Sequence, residues 1–187
     1  MKHKFIAKRY WKDQSTAMGQ SDVLAKSFDD VINLSLGDPD LITHERIIDK
    51  AFADAKAGHT KYTEFRGDPE LRQEISKFYK EEYNMDVADE EIFVCTSACE
   101  GMYLVMESIL DDGDELLVPE PFYANYNTFA YMTGGSIKPI PTSPEEGYRY
   151  ADRARVEAEI NRHTRAIVCT NPGNPTGVVL TPDEQRL

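Results

Sequence analysis

Basic charge is in short supply in this chain: 21 Lys and Arg stand against 33 Asp and Glu, for a net charge of −12. A nucleic-acid surface needs a basic stripe, so the acid excess argues against one. It leaves room for a single small anion held by backbone amides. Long apolar runs are lacking too, and no stretch approaches the ~20 residues of a membrane span. The charged start, Met1 to Arg9, has no apolar segment after it of the kind a secretory leader needs. Cysteine is scarce: Cys95, Cys99 and Cys169 lie in or beside apolar segments and read as reduced thiols of a cytoplasmic protein. Their spacing matches neither a zinc nor an iron–sulfur site. No G-x-G-x-x-G follows a strand and no G-x-x-x-x-G-K-[ST] occurs, which argues against a dinucleotide or a nucleoside triphosphate.

What the chain does have is an ordinary globular balance, 41% hydrophobic and 29% charged over 187 residues, enough for a domain with a real core. Residues 1–32 are polar and without sustained periodicity, and read as an arm. Ile47, Ile48, Ala51, Phe52 and Ala55 fall on one helical face that ends at Gly58. A second helix opens at Asp68-Pro69 and groups Leu71, Ile75, Phe78 and Tyr79. After Asp89 strands and helices alternate: strand Ile92–Cys95, a helix with Met102, Val105, Met106, Ile109 and Leu110 on one face, and strand Leu116–Val118. A helix from Phe122 to Met132, strand Ser136–Ile140, a short helix Asp152–Ile160 and a strand from Ala166 to Cys169 complete the series. This alternation predicts an α/β fold, a mostly parallel sheet with helices on both faces.

Three turns at strand ends carry candidate chemistry. Thr96-Ser97-Ala98-Cys99-Glu100-Gly101 has the Ser97/Glu100 spacing of a capping box. It reads either as a plain helix cap or as an anion seat, with the amides of Ala98 and Cys99 and the helix dipole facing a phosphate. Pro119-Glu120-Pro121-Phe122-Tyr123-Ala124-Asn125-Tyr126 offers aromatics on a stiff loop, either core residues or a stacking plate for a flat ring. Asn171-Pro172-Gly173-Asn174-Pro175-Thr176-Gly177 is a rigid turn with two side-chain amides. Thr181-Pro182-Asp183-Glu184 after it reads as a helix start. That helix is still running at Leu187, from which we expect an amino-terminal piece of a longer polypeptide. An anion seat, an aromatic plate and a polar amide together suit a phosphorylated planar heterocycle.

In this order the motifs resemble the amino-terminal half of a class I/II pyridoxal-phosphate-dependent aminotransferase, with the aspartate-aminotransferase fold. The resemblance runs through Leu34–Asp40, Lys61-Tyr62-Thr63, Gly67 to Arg72, Thr96–Gly101, Asp112–Glu115, Pro119–Tyr126 and Asn171–Gly177. It implies that residues 33–187 begin the large cofactor-binding domain. It implies phosphate contacts from Ala98 and Cys99 with Ser97 shaping the turn, a ring plate at Tyr123, and an amide donated by Asn174 to the phenolic oxygen of pyridoxal 5′-phosphate. By the same resemblance Gly37 lies against the substrate, Tyr62 reaches the phosphate of a neighbouring subunit in a homodimer, and Glu120-Pro121 and Asn174-Pro175 are cis. At position 99 a hydroxyl or lysine is more usual than a thiol. The Schiff-base lysine of such enzymes lies in a Ser/Thr-x-Ser-Lys segment beyond Leu187, so no catalytic residue is assigned, and Lys61 and Lys138 stand in the wrong contexts. The activity implied is transfer of an amino group between an amino acid and a 2-oxo acid. A carbon–sulfur lyase of the same fold shares these motifs. An aminotransferase-like regulator domain would need a basic helix-turn-helix that residues 1–30 do not provide. A purely structural α/β binding module is the remaining alternative.

Overall fold

The computed structural model describes residues 4–11, 17–32, 34, 37 and 39–186. Contacts divide the chain into two compact units, Met1–Cys95 and Thr96–Leu187.

The first unit is helical. It contains helix α1 (Ala17–Ala25), which the polar, aperiodic sequence did not announce. Helix α2 (Glu45–Lys56) begins where the His44 side chain accepts from the Arg46 amide, and α3 (Pro69–Tyr83) where Asp68 accepts from Glu70 and Leu71 with proline at the first helical position. Asn84, in the left-handed region at φ 52°, ends α3: its N–H goes to the Lys80 carbonyl and that of Met85 to the Tyr79 carbonyl. The residue that α3 buries is Arg72, not its apolar stripe. Its guanidinium donates to the Gly67 carbonyl at 2.6 Å, to Asp89 and to Glu64, tying the preceding loop to the following turn. Leu71 and Phe78 of α3, and Ile47 and Phe52 of α2, stay exposed.

The segment Ile92–Cys95 is extended at Ile92, but it forms no ladder among the described residues. The expected strand is therefore corrected to an extended segment. Pattern predicts backbone direction, whereas a strand also needs a neighbour. The Val94 amide is satisfied by the Arg66 carbonyl.

The second unit holds the sheet. Strands β1 (Glu115–Pro119), β2 (Ser136–Ile140) and β3 (Thr164–Ile167) run parallel in the order β2-β1-β3. Leu116, Leu117 and Val118 of the central strand are essentially sealed from solvent, each such burial contributing about 1.5–3 kcal/mol. Their alternation sends Leu116 and Val118 to one face, where Met106 and Leu110 of α4 (Ala98–Ile109) with its cap meet Tyr126 and Ala130 of α5 (Asn125–Met132). Leu117 points the other way, to Ile140, Tyr150, Leu180 and Val156 of α6 (Arg153–Glu159). Helices thus cover both faces, as the α/β reading requires. Boundaries moved: α5 starts at Asn125 rather than Phe122, and β3 starts at Thr164, with the Val168 amide still reaching the Leu117 carbonyl. After Thr181 only a single 3-10 turn, Glu184–Arg186, is formed, although the reciprocal Thr181/Glu184 cap is present.

Candidate functional site

Parallel pairing of β1 with β3 decides where the site lies. Both strands finish at the same sheet edge, so the loops that leave them run side by side. Tyr123 lies on the loop after β1 and Asn174 on the loop after β3. Tyr126 bridges them: its hydroxyl is 2.8 Å from Thr170 Oγ1, and its ring meets Tyr123 edge-on at 5.6 Å.

The first turn of α4 joins the same group. Ser97 caps it, accepting from the Glu100 amide, while the Glu100 carboxylate reaches past the cap to accept from the Thr96 amide, so the cap is present but the reciprocal bond of a capping box falls one residue early. That uses the third amide of the helix and leaves the first two, on Ala98 and Cys99, without a carbonyl behind them. Ala98 is exposed and Cys99 half-buried, and neither side chain is large. The Cys99 thiol meets Tyr123: it lies 3.6 Å from the hydroxyl, which also accepts from Asn125 Nδ2 at 2.7 Å. The sulfur contact and partial burial hold the Tyr123 phenol above its usual range.

The Asn171–Gly177 turn is built largely from its own backbone. Gly173 donates to Val178 and Gly177 to Gly173, and Asn171 Oδ1 accepts from Leu180. A side chain on Gly173 would strike Thr176 Oγ1 at 2.5 Å. The two asparagines therefore part company: Asn171 is structural, whereas the exposed Asn174 carboxamide has no hydrogen bond among the described residues. It lines a small cleft with Phe122, Tyr126, Thr170 and Thr176. Cis peptides occur at Glu120-Pro121 and Asn174-Pro175, as expected, and also at Asn171-Pro172.

Ser97, Ala98, Cys99, Tyr123 and Asn174 thus belong to one unit. Cys99 touches Tyr123 directly, and Asn174 connects through the cleft that Tyr126 walls. Gly37 and Tyr62 belong to the other unit. Both are exposed, with open space where a Gly37 side chain would go. The rest of the Leu34–Asp40 motif, at Ser35, Leu36 and Asp38, lies outside the described residues. Sequence reasoning gave no role to Asn125 or Thr170. Asn125 stands two residues from Tyr123, a spacing that could have flagged it. The Tyr126–Thr170 pair spans 44 residues and has no local signal. Lys138, set aside on sequence, is paired with Glu159 at 3.1 Å. No grouping of metal-binding side chains occurs among the described residues, nor does any described helix have the length and apolarity to cross a membrane.

A model of the family described as aminotransferase class I and II matches residues 29–186. An aspartate aminotransferase of Bacillus subtilis is 36% identical over 156 residues, which is 83% of this chain and 39% of that protein. One from Pyrococcus horikoshii is 34% identical over 176 residues, 94% of this chain and 45% of the relative. Among solved structures, the aspartate aminotransferase of Rhizobium meliloti superposes with a TM-score of 0.90 at 28% identity, covering 97% of this chain and 46% of that one. A Thermus thermophilus aspartate aminotransferase mutant gives 0.88 at 29%, covering 97% and 48%. The chain spans less than half the length of each of these relatives.

Proposed function

Because this chain belongs to the class I and II aminotransferase family, whose members depend on pyridoxal 5′-phosphate, we propose that it supplies the cofactor bed of an enzyme that moves an amino group between an amino acid and a 2-oxo acid. The reading rests on one observation: the first turn of α4 and the loops after β1 and β3 are linked through the Cys99–Tyr123, Tyr123–Tyr126 and Tyr126–Thr170 contacts. The donor set suits the cofactor. Two backbone amides at a helix start match a phosphate dianion, a tyrosine ring matches a pyridine face, and an uncommitted carboxamide matches a phenolic oxygen.

When bound, pyridoxal 5′-phosphate supplies the electron sink that makes the α-proton of an amino acid removable. The residues of this chain bind and orient. Ala98 and Cys99 give their amides, with the helix dipole behind them, to the phosphate, and Ser97 holds the turn in shape. Tyr123 covers one ring face, and Asn174 donates to the phenolic oxygen and so tunes the ring. Gly37 leaves space for the substrate, and Tyr62 extends to the phosphate of the second subunit of a homodimer. On this reading no residue of this chain is assigned as the amine that anchors the cofactor; Lys138 is paired with Glu159 and Lys61 stands on an exposed loop. The relatives' names make aspartate the first amino donor to test, and a cytoplasmic setting fits the reading.

The test is equilibrium binding of pyridoxal 5′-phosphate to the chain and to Asn174→Ala. Reversible binding is expected, weakened roughly three- to tenfold by the substitution, with no lysine labelled by borohydride and no transaminase turnover by the chain alone. Equal affinity of both forms would remove Asn174 from the site.

A further inference from the structure

A bare phenyl ring stacks on a heterocycle as well as a phenol does, so the hydroxyl of Tyr123 calls for its own explanation. It is held from two sides. Asn125, at the first position of α5, donates its Nδ2 to the hydroxyl at 2.7 Å. The hydroxyl also shares a hydrogen bond with the Cys99 sulfur, 3.6 Å away in the first turn of α4. The Tyr126 ring, edge-on at 87°, closes a third side. These contacts fix the ring plane, and they fix it against the helix start that carries the amides of Ala98 and Cys99. One residue, Cys99, presents its amide at the helix start and its side chain to the Tyr123 hydroxyl.

We infer that Asn125 and the Cys99 thiol are positioning residues: they hold the Tyr123 ring in register with the phosphate seat, so that a ligand carrying both a phosphate and a flat ring finds both subsites already spaced. The inference rests on the cofactor reading above and deepens it. Preorganisation of this kind spares the ligand the cost of ordering a mobile side chain. It also gives the thiol at position 99 a use: its reach spans to the phenol while the amide of the same residue stays at the helix start.

The experiment is a double-mutant cycle on the full chain with two probes, pyridoxal 5′-phosphate and inorganic phosphate. Asn125→Ala and Tyr123→Phe should each weaken pyridoxal phosphate roughly two- to tenfold, and the double variant should be no weaker than either single one. Affinity for inorganic phosphate should not change, and the induced circular dichroism of bound pyridoxal phosphate should alter alike in all three. Tyr123→Phe changes no residue of α5 and keeps the ring, so its effect is readable even if Asn125→Ala fails to fold. Additive losses, equal weakening of both probes, or no loss in Tyr123→Phe would overturn the inference while the cofactor reading stands. Failure of the unmutated chain to bind pyridoxal phosphate would overturn both.

Discussion

Glu184 makes two contacts at once, accepting from the Thr181 amide as the cap of the last turn and from the Arg149 guanidinium. Arg149 first, and then Thr181, hold its carboxyl down from the usual 4.5 to about 2. A carboxylate depressed on folding adds stability that is complete above the unfolded value and is lost as pH falls through the folded one. Glu184→Gln should therefore lower the thermal midpoint by a constant amount above about pH 5, and the gap should close as pH approaches 2. Paired melting curves across that range check this; a gap that persisted at pH 2 would show that packing, not charge, is what Gln lacks. Arg72 is the opposite case, a buried cation with exposed or half-exposed partners. Arg72→Met keeps the aliphatic stem and removes the donors to Gly67, Glu64 and Asp89. Because the orphaned carboxylates can take up water, the expected loss is about 2–3 kcal/mol by denaturant unfolding of the first unit, smaller than for a fully buried pair.

At the scale of elements, what the sequence disclosed depended on how local the cause was. The cap of α3 was readable because Asp68, Pro69 and the amides they serve are neighbours, and Asp68→Ala should cost about 1 kcal/mol. The Thr181/Glu184 cap was readable for the same reason. Strand character at Ile92–Cys95 was not readable, because a ladder depends on a partner that no local pattern names. The start of α5 was misjudged because aromatics at 122 and 123 look helical, whereas the loop keeps them for the core and for the site. Gly67 shows how a loop position becomes fixed. Its φ is +102°, and an added Cβ would lie 2.5 Å from the branched Cβ of Val94. Val94 cannot retreat easily, since its amide is bonded to Arg66. Gly67→Ala should destabilise the first unit by about 1–3 kcal/mol and strip hydrogen-exchange protection from the Val94 amide first. Unchanged protection there would mean that the loop relaxes freely around the new methyl.

For the molecule as a whole, the turns that compose the site were visible before any coordinates, since each announces itself by prolines, glycines or a capping residue in a short span. Their convergence was only implied by the parallel-sheet reading. The contacts that realise it, Cys99 to Tyr123 and Tyr126 to Thr170, join segments 24 and 44 residues apart. The same distinction between pattern and partner explains the surface. The apolar residues of α2 and α3 line up as the sequence pattern predicts, yet Ile47 and Phe52 are each 63% exposed and Phe78 is 51% exposed. An amphipathic helix gains most of its stability from covering such a stripe, and contiguous exposed apolar area promotes association. The two buried clusters both lie in the second unit, around β1. The chain alone should therefore bind a hydrophobic dye in its folded state and sediment faster as concentration rises. Replacing Ile47 and Phe52 together by Gln and Lys should reduce both effects without lowering the melting temperature of the sheet unit. A parent chain that binds no dye and sediments identically at every concentration would show that these stripes are covered in solution.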